Sequence, residues 1–178
     1  MGGDDHHLLE EGAELKLDWH KLDKVAAAKC DVVPVAVQDA KTGALLILAY
    51  ANEAALKESL ARKVCCLWST SRNKLWIKGE TSGDVLDLVD VRVNCEQNSL
   101  LFLVAPRNAG ACHTRFPGGG TRPSCYYRRL VGSELPGALM EHVHDEGSGR
   151  RLAAACAVSA LGASLLTAAV CRLLCRPR

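Results

Sequence analysis

The chain has 178 residues, of which 48% are apolar, enough for one domain with a sizeable core plus a small appendage, although only 4% are aromatic. Its net charge of +2 comes from five arginines within residues 150–178, a stretch without an acid; residues 1–149 hold 17 basic against 20 acidic side chains, so a nucleic-acid partner has no footprint here. Nine cysteines, an odd number with Cys65 and Cys66 adjacent, and an N-terminus lacking a basic and apolar leader argue against a secreted disulfide scaffold and for reduced thiols in a cytosolic setting.

Residues 1–14 are polar and acidic and read as a flexible N-terminus. Helical spacing runs from Leu22 to Cys30. Val32–Val37 and Ala44–Tyr50 read as strands around a turn at Asp39, Thr42 and Gly43, hence a hairpin. Asn52 is a natural N-cap for a helix over Glu53–Arg62, with Ala55, Leu56 and Leu60 as its apolar stripe. Strands follow at Val64–Ser69, Leu75–Lys78, Val85–Val93 and Leu100–Val104, with a turn at Gln97 and Asn98. A Gly-rich loop spans Phe116–Gly120. Mostly strands with an early helix pair predict an α+β domain over residues 15–131, its sheet mainly antiparallel and its helices few. Residues 132–149, with Pro136 and several Gly, Ser and acidic residues, read as a linker.

Leu152–Cys171 is different in kind: twenty residues without a charge, bracketed by Arg150, Arg151 and Arg172. That length matches the hydrocarbon thickness of a bilayer and basic flanks suit its interfaces. Residues 150–178 are therefore expected to form a hydrophobic helix that anchors the chain by its tail. The catalytic part would face the cytosol from the mitochondrial outer membrane or the endoplasmic reticulum. An Ala-rich helix that is buried or binds a partner is the alternative.

Three segments carry chemistry: Asn94-Cys95-Glu96-Gln97-Asn98, Ala111-Cys112-His113-Thr114 and Ser124-Cys125-Tyr126-Tyr127-Arg128. Thiolates suit zinc, and a catalytic zinc takes three protein ligands and leaves one position for water. A neighbouring histidine can handle that water's proton. The set reads as zinc-dependent hydrolysis, although its spacing matches no known finger or ribbon.

Together with Trp68-Ser69-Thr70-Ser71-Arg72-Asn73-Lys74-Leu75-Trp76-Ile77-Lys78-Gly79-Glu80-Thr81-Ser82-Gly83, these segments resemble the phosphoribosyl-AMP cyclohydrolases, enzymes of histidine biosynthesis that open the adenine ring of N1-(phosphoribosyl)-AMP. The likeness runs from about Val33 to Arg128 with the motifs in family order. It implies an obligate homodimer with shared sites, in which Cys95 of one chain joins Cys112 and Cys125 of the other around zinc. Water would attack C6 of the purine, the N1–C6 bond would open, and His113 would be general base and proton shuttle. Trp68, Ser69, Ser71, Arg72, Lys78, Thr81, Ser82 and Gly83 would bind the substrate, with hydroxyls, backbone NH groups and positive charge meeting its two phosphoribosyl arms. Trp68 and Trp76 would pack against the base or the core.

The chain departs from the family's commonest pattern in two places. Asn94, Glu96 and Asn98 stand where many members carry three aspartates proposed to hold magnesium, so a magnesium site there should be weaker or absent. The loop from Cys112 to Cys125 is also longer than in many members. Two other functions stay open on the sequence: hydrolysis of another purine nucleotide, and a membrane-anchored zinc scaffold without catalysis. Cys30, Cys65, Cys66 and Cys156 read as small core residues. His20 reads as a surface residue, His142 and His144 as solvated, and Asp84, Asp87 and Asp90 as an exposed strand face.

Overall fold

The computed structural model describes residues 3–108, 110–132, 135 and 138–143. The uncharged run at 152–171, and with it the expected tail anchor, lies outside the described residues. No helix among the described residues is long and apolar enough to cross a membrane.

The helices are α1 (Gly3–Glu11), α2 (Lys21–Ala27) and α3 (Glu53–Arg62). The strands are β1 (Val33–Asp39), β2 (Leu45–Ala51), β3 (Cys66–Ser69), β4 (Lys74–Ile77), β5 (Leu86–Val93), β6 (Leu100–Pro106), β7 (Arg128–Val131) and β8 (Leu139–His142). β1 and β2 form the expected hairpin. Its turn is closed by Asp39, whose carboxylate accepts from the amides of Lys41 at 2.7 Å and Thr42 at 2.9 Å, with Gly43 taking φ +74°. Asn52 caps α3 as predicted, its Oδ1 accepting from the Ala55 amide at 2.9 Å.

The main sheet has the order β2-β1-β6-β5. β1 pairs antiparallel with β2, and β6 antiparallel with β5, but β1 and β6 run parallel. The mainly antiparallel expectation therefore holds for the sheet with one parallel seam at its centre. A parallel neighbour needs a crossover, and α3 with β3, β4 and β5 forms that connection. β3 and β4 make a separate hairpin, tied to the sheet through Cys65 N to Leu86 O at 2.9 Å and Leu88 N to Lys63 O at 2.9 Å.

Alternate residues Val35 and Val37 of β1, Leu86 and Leu88 of β5, and Phe102 and Val104 of β6 meet Leu46, Ala51, Ala55, Cys65, Leu67 and Ala111 in one core. Burying an aliphatic side chain of this size contributes roughly 1.5–3 kcal/mol. α3 docks through Ala55 and a residue its apolar stripe did not single out, Ser59. The Ser59 hydroxyl donates to Ala55 O at 2.8 Å and accepts from Cys66 N at 3.0 Å, which pins the helix to β3. Leu60, expected on that stripe, is 45% exposed.

Two segments differ from the sequence reading. Residues 3–11 form α1, although 1–14 read as loose, because Tyr127 and Arg128 bind its backbone from β7 and the turn before it. Residues 139–142, read as linker, are β8, paired antiparallel with β7; Met140 N donates to Ala13 O at 2.7 Å and closes the group. Both losses have one cause: these short elements are weak alone and exist through pairing with each other.

Candidate active site

The three cysteines do not meet within one chain. Cys95 is exposed on the β5–β6 turn, whereas Cys112 is buried and Cys125 half-buried. Cys112 and Cys125 share a hydrogen bond, and the Thr114 hydroxyl lies 3.1 Å from the Cys112 sulfur. The proton shared with Cys125 holds the Cys112 thiol far below the usual thiol range. The same hydrogen bond, reinforced by burial, pushes the Cys125 thiol up. One thiolate is thus readily formed and the second sits beside it, the state in which thiols accept a soft metal ion. Among the described residues no three His, Cys, Asp or Glu side chains of one chain converge as a complete metal site. By its thiolate chemistry the pair is suited to supply two ligands to a zinc ion.

The loop holding this pair is built around Arg122, a guanidinium only 2% exposed. It pairs with both oxygens of Glu11, donates to the Thr114 hydroxyl at 3.1 Å and lies 4.0 Å from the centre of the Tyr127 ring. Its carbonyl accepts from the amides of Ala111 at 3.1 Å and Cys112 at 3.0 Å. Arg122 thereby joins both ends of the Gly-rich excursion, which closes on itself through Phe116 N to Gly120 O at 2.8 Å. The longer spacing between Cys112 and Cys125 costs the site nothing, because the excursion leaves and returns at one point. Gly110 has to be glycine: a Cβ there would lie 2.6 Å from Arg122 O.

His113 follows Cys112 and its side chain is 68% exposed, so it is accessible to a substrate. Its Nε2 lies 2.5 Å from Glu10 Oε1 of α1. Sequence reasoning missed Glu10, Glu11 and Arg122. A basic residue just after the Gly-rich loop was a signal for the last, but nothing local marked the two glutamates.

The expected substrate-binding residues form two groups at opposite ends of β4, a strand about 13 Å long at ~3.3 Å per residue. At the β3–β4 turn, Arg72 Nε donates to the Ser69 hydroxyl at 3.1 Å, Ser71 lies 3.4 Å from the same hydroxyl, and the Arg72 guanidinium sits 5.9 Å from the Trp76 ring centre. Trp68 beside them has an enclosed indole Nε1–H without a hydrogen-bond partner. It faces a concavity of about 480 Å³ shared with Lys29, Asp31, Asn52 and Asn73. Trp76 packs against the core.

At the other end lie Lys78, Thr81, Ser82 and Gly83. Lys78 is buried, and its charge acts on Cys125 and Cys65, lowering both thiols against the other influences on them. This links the Lys78–Gly83 turn to the cysteine pair. Asn108 Nδ2 donates to Gly83 O at 2.9 Å, and the Thr121 hydroxyl reaches Asp84 at 3.4 Å. Asp84 is buried, so the exposed-face reading of the three aspartates fails there; Asp87 is held by Arg107 at 2.8 Å.

Asn94, Glu96 and Asn98 bind one another rather than presenting free oxygens. Asn94 Oδ1 accepts from the amides of Asn98 at 2.9 Å and Ser99 at 3.0 Å, and Asn98 Nδ2 donates to Glu96 Oε2 at 2.9 Å. The amide side chains serve the turn that displays Cys95.

A sheet domain with a thiol pair, one member of which is buried and easily ionised, beside an accessible histidine has the parts of a hydrolase. The family model for phosphoribosyl-AMP cyclohydrolase matches residues 47–127. The phosphoribosyl-AMP cyclohydrolase of Archaeoglobus fulgidus is 47% identical over 104 residues, covering 58% of this chain and 90% of that protein. The one from Chlorobaculum tepidum is 43% identical over 103 residues, covering 58% of this chain and 70% of its own. The histidine biosynthesis bifunctional protein of Aquifex aeolicus is 38% identical over 118 residues, 64% of this chain and 55% of that protein. The chain belongs to the phosphoribosyl-AMP cyclohydrolase family.

Proposed function

We propose that this chain hydrolyses the N1–C6 bond of phosphoribosyl-AMP, as a zinc-dependent homodimer acting in histidine biosynthesis. The observation that carries the reading is the Cys112–Cys125 pair, where one thiol is held ionisable by the other next to an accessible His113. Cys112 and Cys125 would hold zinc together with Cys95 of a second copy. Zinc supplies Lewis acidity, which makes water a competent nucleophile near neutral pH. The water oxygen bonds to C6 and becomes the carboxamide oxygen. The N1–C6 bond breaks, and N1 keeps its electron pair and takes a proton. His113 is the group that removes the water's proton and returns one to N1. The product is the ring-opened formimino-imidazolecarboxamide ribotide.

The two polar groups at the ends of β4 suit a substrate with two phosphorylated arms. Ser69, Ser71 and Arg72 offer two hydroxyls and a guanidinium at one end. Thr81, Ser82 and Gly83 offer hydroxyls and backbone NH groups at the other, backed by the charge of the buried Lys78, with Trp68 beside the first group. Homodimerisation is supported by the displaced Cys95 and by exposed Leu48, Val89, Val93 and Tyr126, at 57, 60, 57 and 52%. Magnesium has no dedicated site in this reading, since the Asn94, Glu96 and Asn98 side chains are committed to one another. The uncharged run 152–171 with its flanking arginines supports tail anchoring of a cytosol-facing enzyme.

The test is turnover of phosphoribosyl-AMP, followed by absorbance, in wild type and His113→Ala. Loss of turnover with zinc content and dimerisation intact is expected. A zinc-loaded dimer that opens another purine nucleotide instead, or none, would replace the reading with one of the two alternatives.

A further inference from the structure

We infer that Glu10 is a positioning residue for His113, delivered to it by the N-terminal helix. This rests on His113 being the base proposed above. The Glu10 carboxylate accepts only, so at 2.5 Å it selects the ring tautomer with the proton on Nε2 and leaves the lone pair on Nδ1. It also fixes the ring plane of a side chain that is otherwise largely free in solvent. A carboxylate oriented on the far nitrogen of a working histidine is a recurrent device, because a base in the wrong tautomer offers a proton where it should take one.

Glu10 is itself held in place. The Tyr127 hydroxyl donates to Glu10 O at 2.7 Å, and Arg128 donates to Leu9 O at 2.9 Å and to Gly12 O at 3.2 Å. Glu11 pairs with the buried Arg122, and His6 Nδ1 lies 3.1 Å from the same Glu10 oxygen. Apart from His6, which lies on α1 itself, these contacts come from the residues just after Cys125 and from the loop after Cys112. The helix is thus clamped to the same framework that sets the cysteine pair, so Glu10 and His113 share a common base. The family match begins only at residue 47, and α1 lies well outside it.

The test compares full-length wild type with Glu10→Ala, Glu10→Gln and Glu10→Asp. Measured are kcat and KM for phosphoribosyl-AMP, the NMR shifts of the His113 ring nitrogens, zinc content and melting temperature. The wild-type ring is expected as the Nε2–H tautomer, and Glu10→Ala as a mixture. Glu10→Gln keeps the size but can donate as well as accept, so it also mixes the tautomers and guards against a folding artefact. In both variants kcat should fall about 10- to 100-fold with KM within about twofold. Zinc content and melting temperature should stay unchanged, and Glu10→Asp should recover part of kcat. If wild type turns over and both variants match it, the positioning role is refuted and the proposed function stands. Loss of zinc or of melting temperature in step with kcat would refute it too, reducing Glu10 to a structural support. If wild type fails to turn over while the tautomer still shifts in Glu10→Ala, the positioning contact stands and the proposed function falls.

Discussion

Gly79→Ala tests the turn that carries Thr81, Ser82 and Gly83, the proposed contacts to one arm of the substrate. Gly79 sits at φ +84°, and a Cβ there would lie 1.9 Å from Asp84 O, 2.1 Å from Asp84 C and 2.5 Å from Val85 N. All three are backbone atoms and Asp84 is buried, so the side chain cannot be accommodated by a rotamer change. Gly43 is the control, at φ +74° with nothing within 4 Å of its Cβ position. The left-handed conformation alone costs an alanine roughly 1–2 kcal/mol, partly offset by a less flexible unfolded chain. Gly43→Ala should therefore lose about 1 kcal/mol or less. Gly79→Ala adds a backbone displacement of the overpacking kind, roughly 1–3 kcal/mol, for about 2–4 kcal/mol in all. The displaced turn also carries Gly83 N to Gly79 O at 2.8 Å, so KM for phosphoribosyl-AMP should rise about tenfold or more. Urea unfolding of both variants at one protein concentration, followed by steady-state kinetics, measures each effect. Equal destabilisation by the two substitutions, with unchanged KM, would refute the close approach of Gly79 to Asp84.

Ser59→Ala should destabilise by about 2 kcal/mol, since it strands the buried Cys66 amide; urea unfolding within 0.5 kcal/mol of wild type would contradict that hydrogen bond. Burial pushes the Cys65 thiol up to about 12, so at pH 8 a thiol reagent should label exposed Cys95 and spare Cys65 until the protein unfolds, as read by peptide mass spectrometry. The Glu11 carboxyl is held below its ordinary 4.5, chiefly by its hydrogen bonds from Arg122. Its stabilisation is fully present above 4.5 and fades as pH falls through the lowered value, so the stability gap between wild type and Glu11→Gln should close in acid. A gap that stays constant on acidification until the protein unfolds would count against the pair. Zinc-restored enzyme stripped of other metals should turn over without added magnesium, and a strict magnesium requirement would show that Asn94, Glu96 and Asn98 open to hold it.

The strands and α3 were legible because their signals are local: alternation at Val35 and Val37, the Asn52 cap, and the Asp39–Gly43 turn. The cysteines and His113 stood out in the sequence because their chemistry is written in side-chain type. The parallel pairing of β1 with β6 was not, since Val35 and Leu100 are far apart in sequence and alternate alike in either direction. Nor was the N-terminal helix, whose nine residues hold no strong apolar face and gain their place from Tyr127, Arg128 and Arg122. Glu10 was invisible for the same reason: it reaches His113 across 103 residues of sequence. Arg122 carried no local signal strong enough to single it out, yet it is the buried post around which the cysteine loop is built.

The most direct measurement is turnover of phosphoribosyl-AMP by the purified full-length chain, with zinc counted per subunit in wild type and in Cys112→Ser. Ring opening by wild type, with loss of both zinc and turnover in Cys112→Ser, is the expected result. Ring opening that survives complete loss of zinc, or a zinc-loaded protein that leaves phosphoribosyl-AMP intact, would contradict the account.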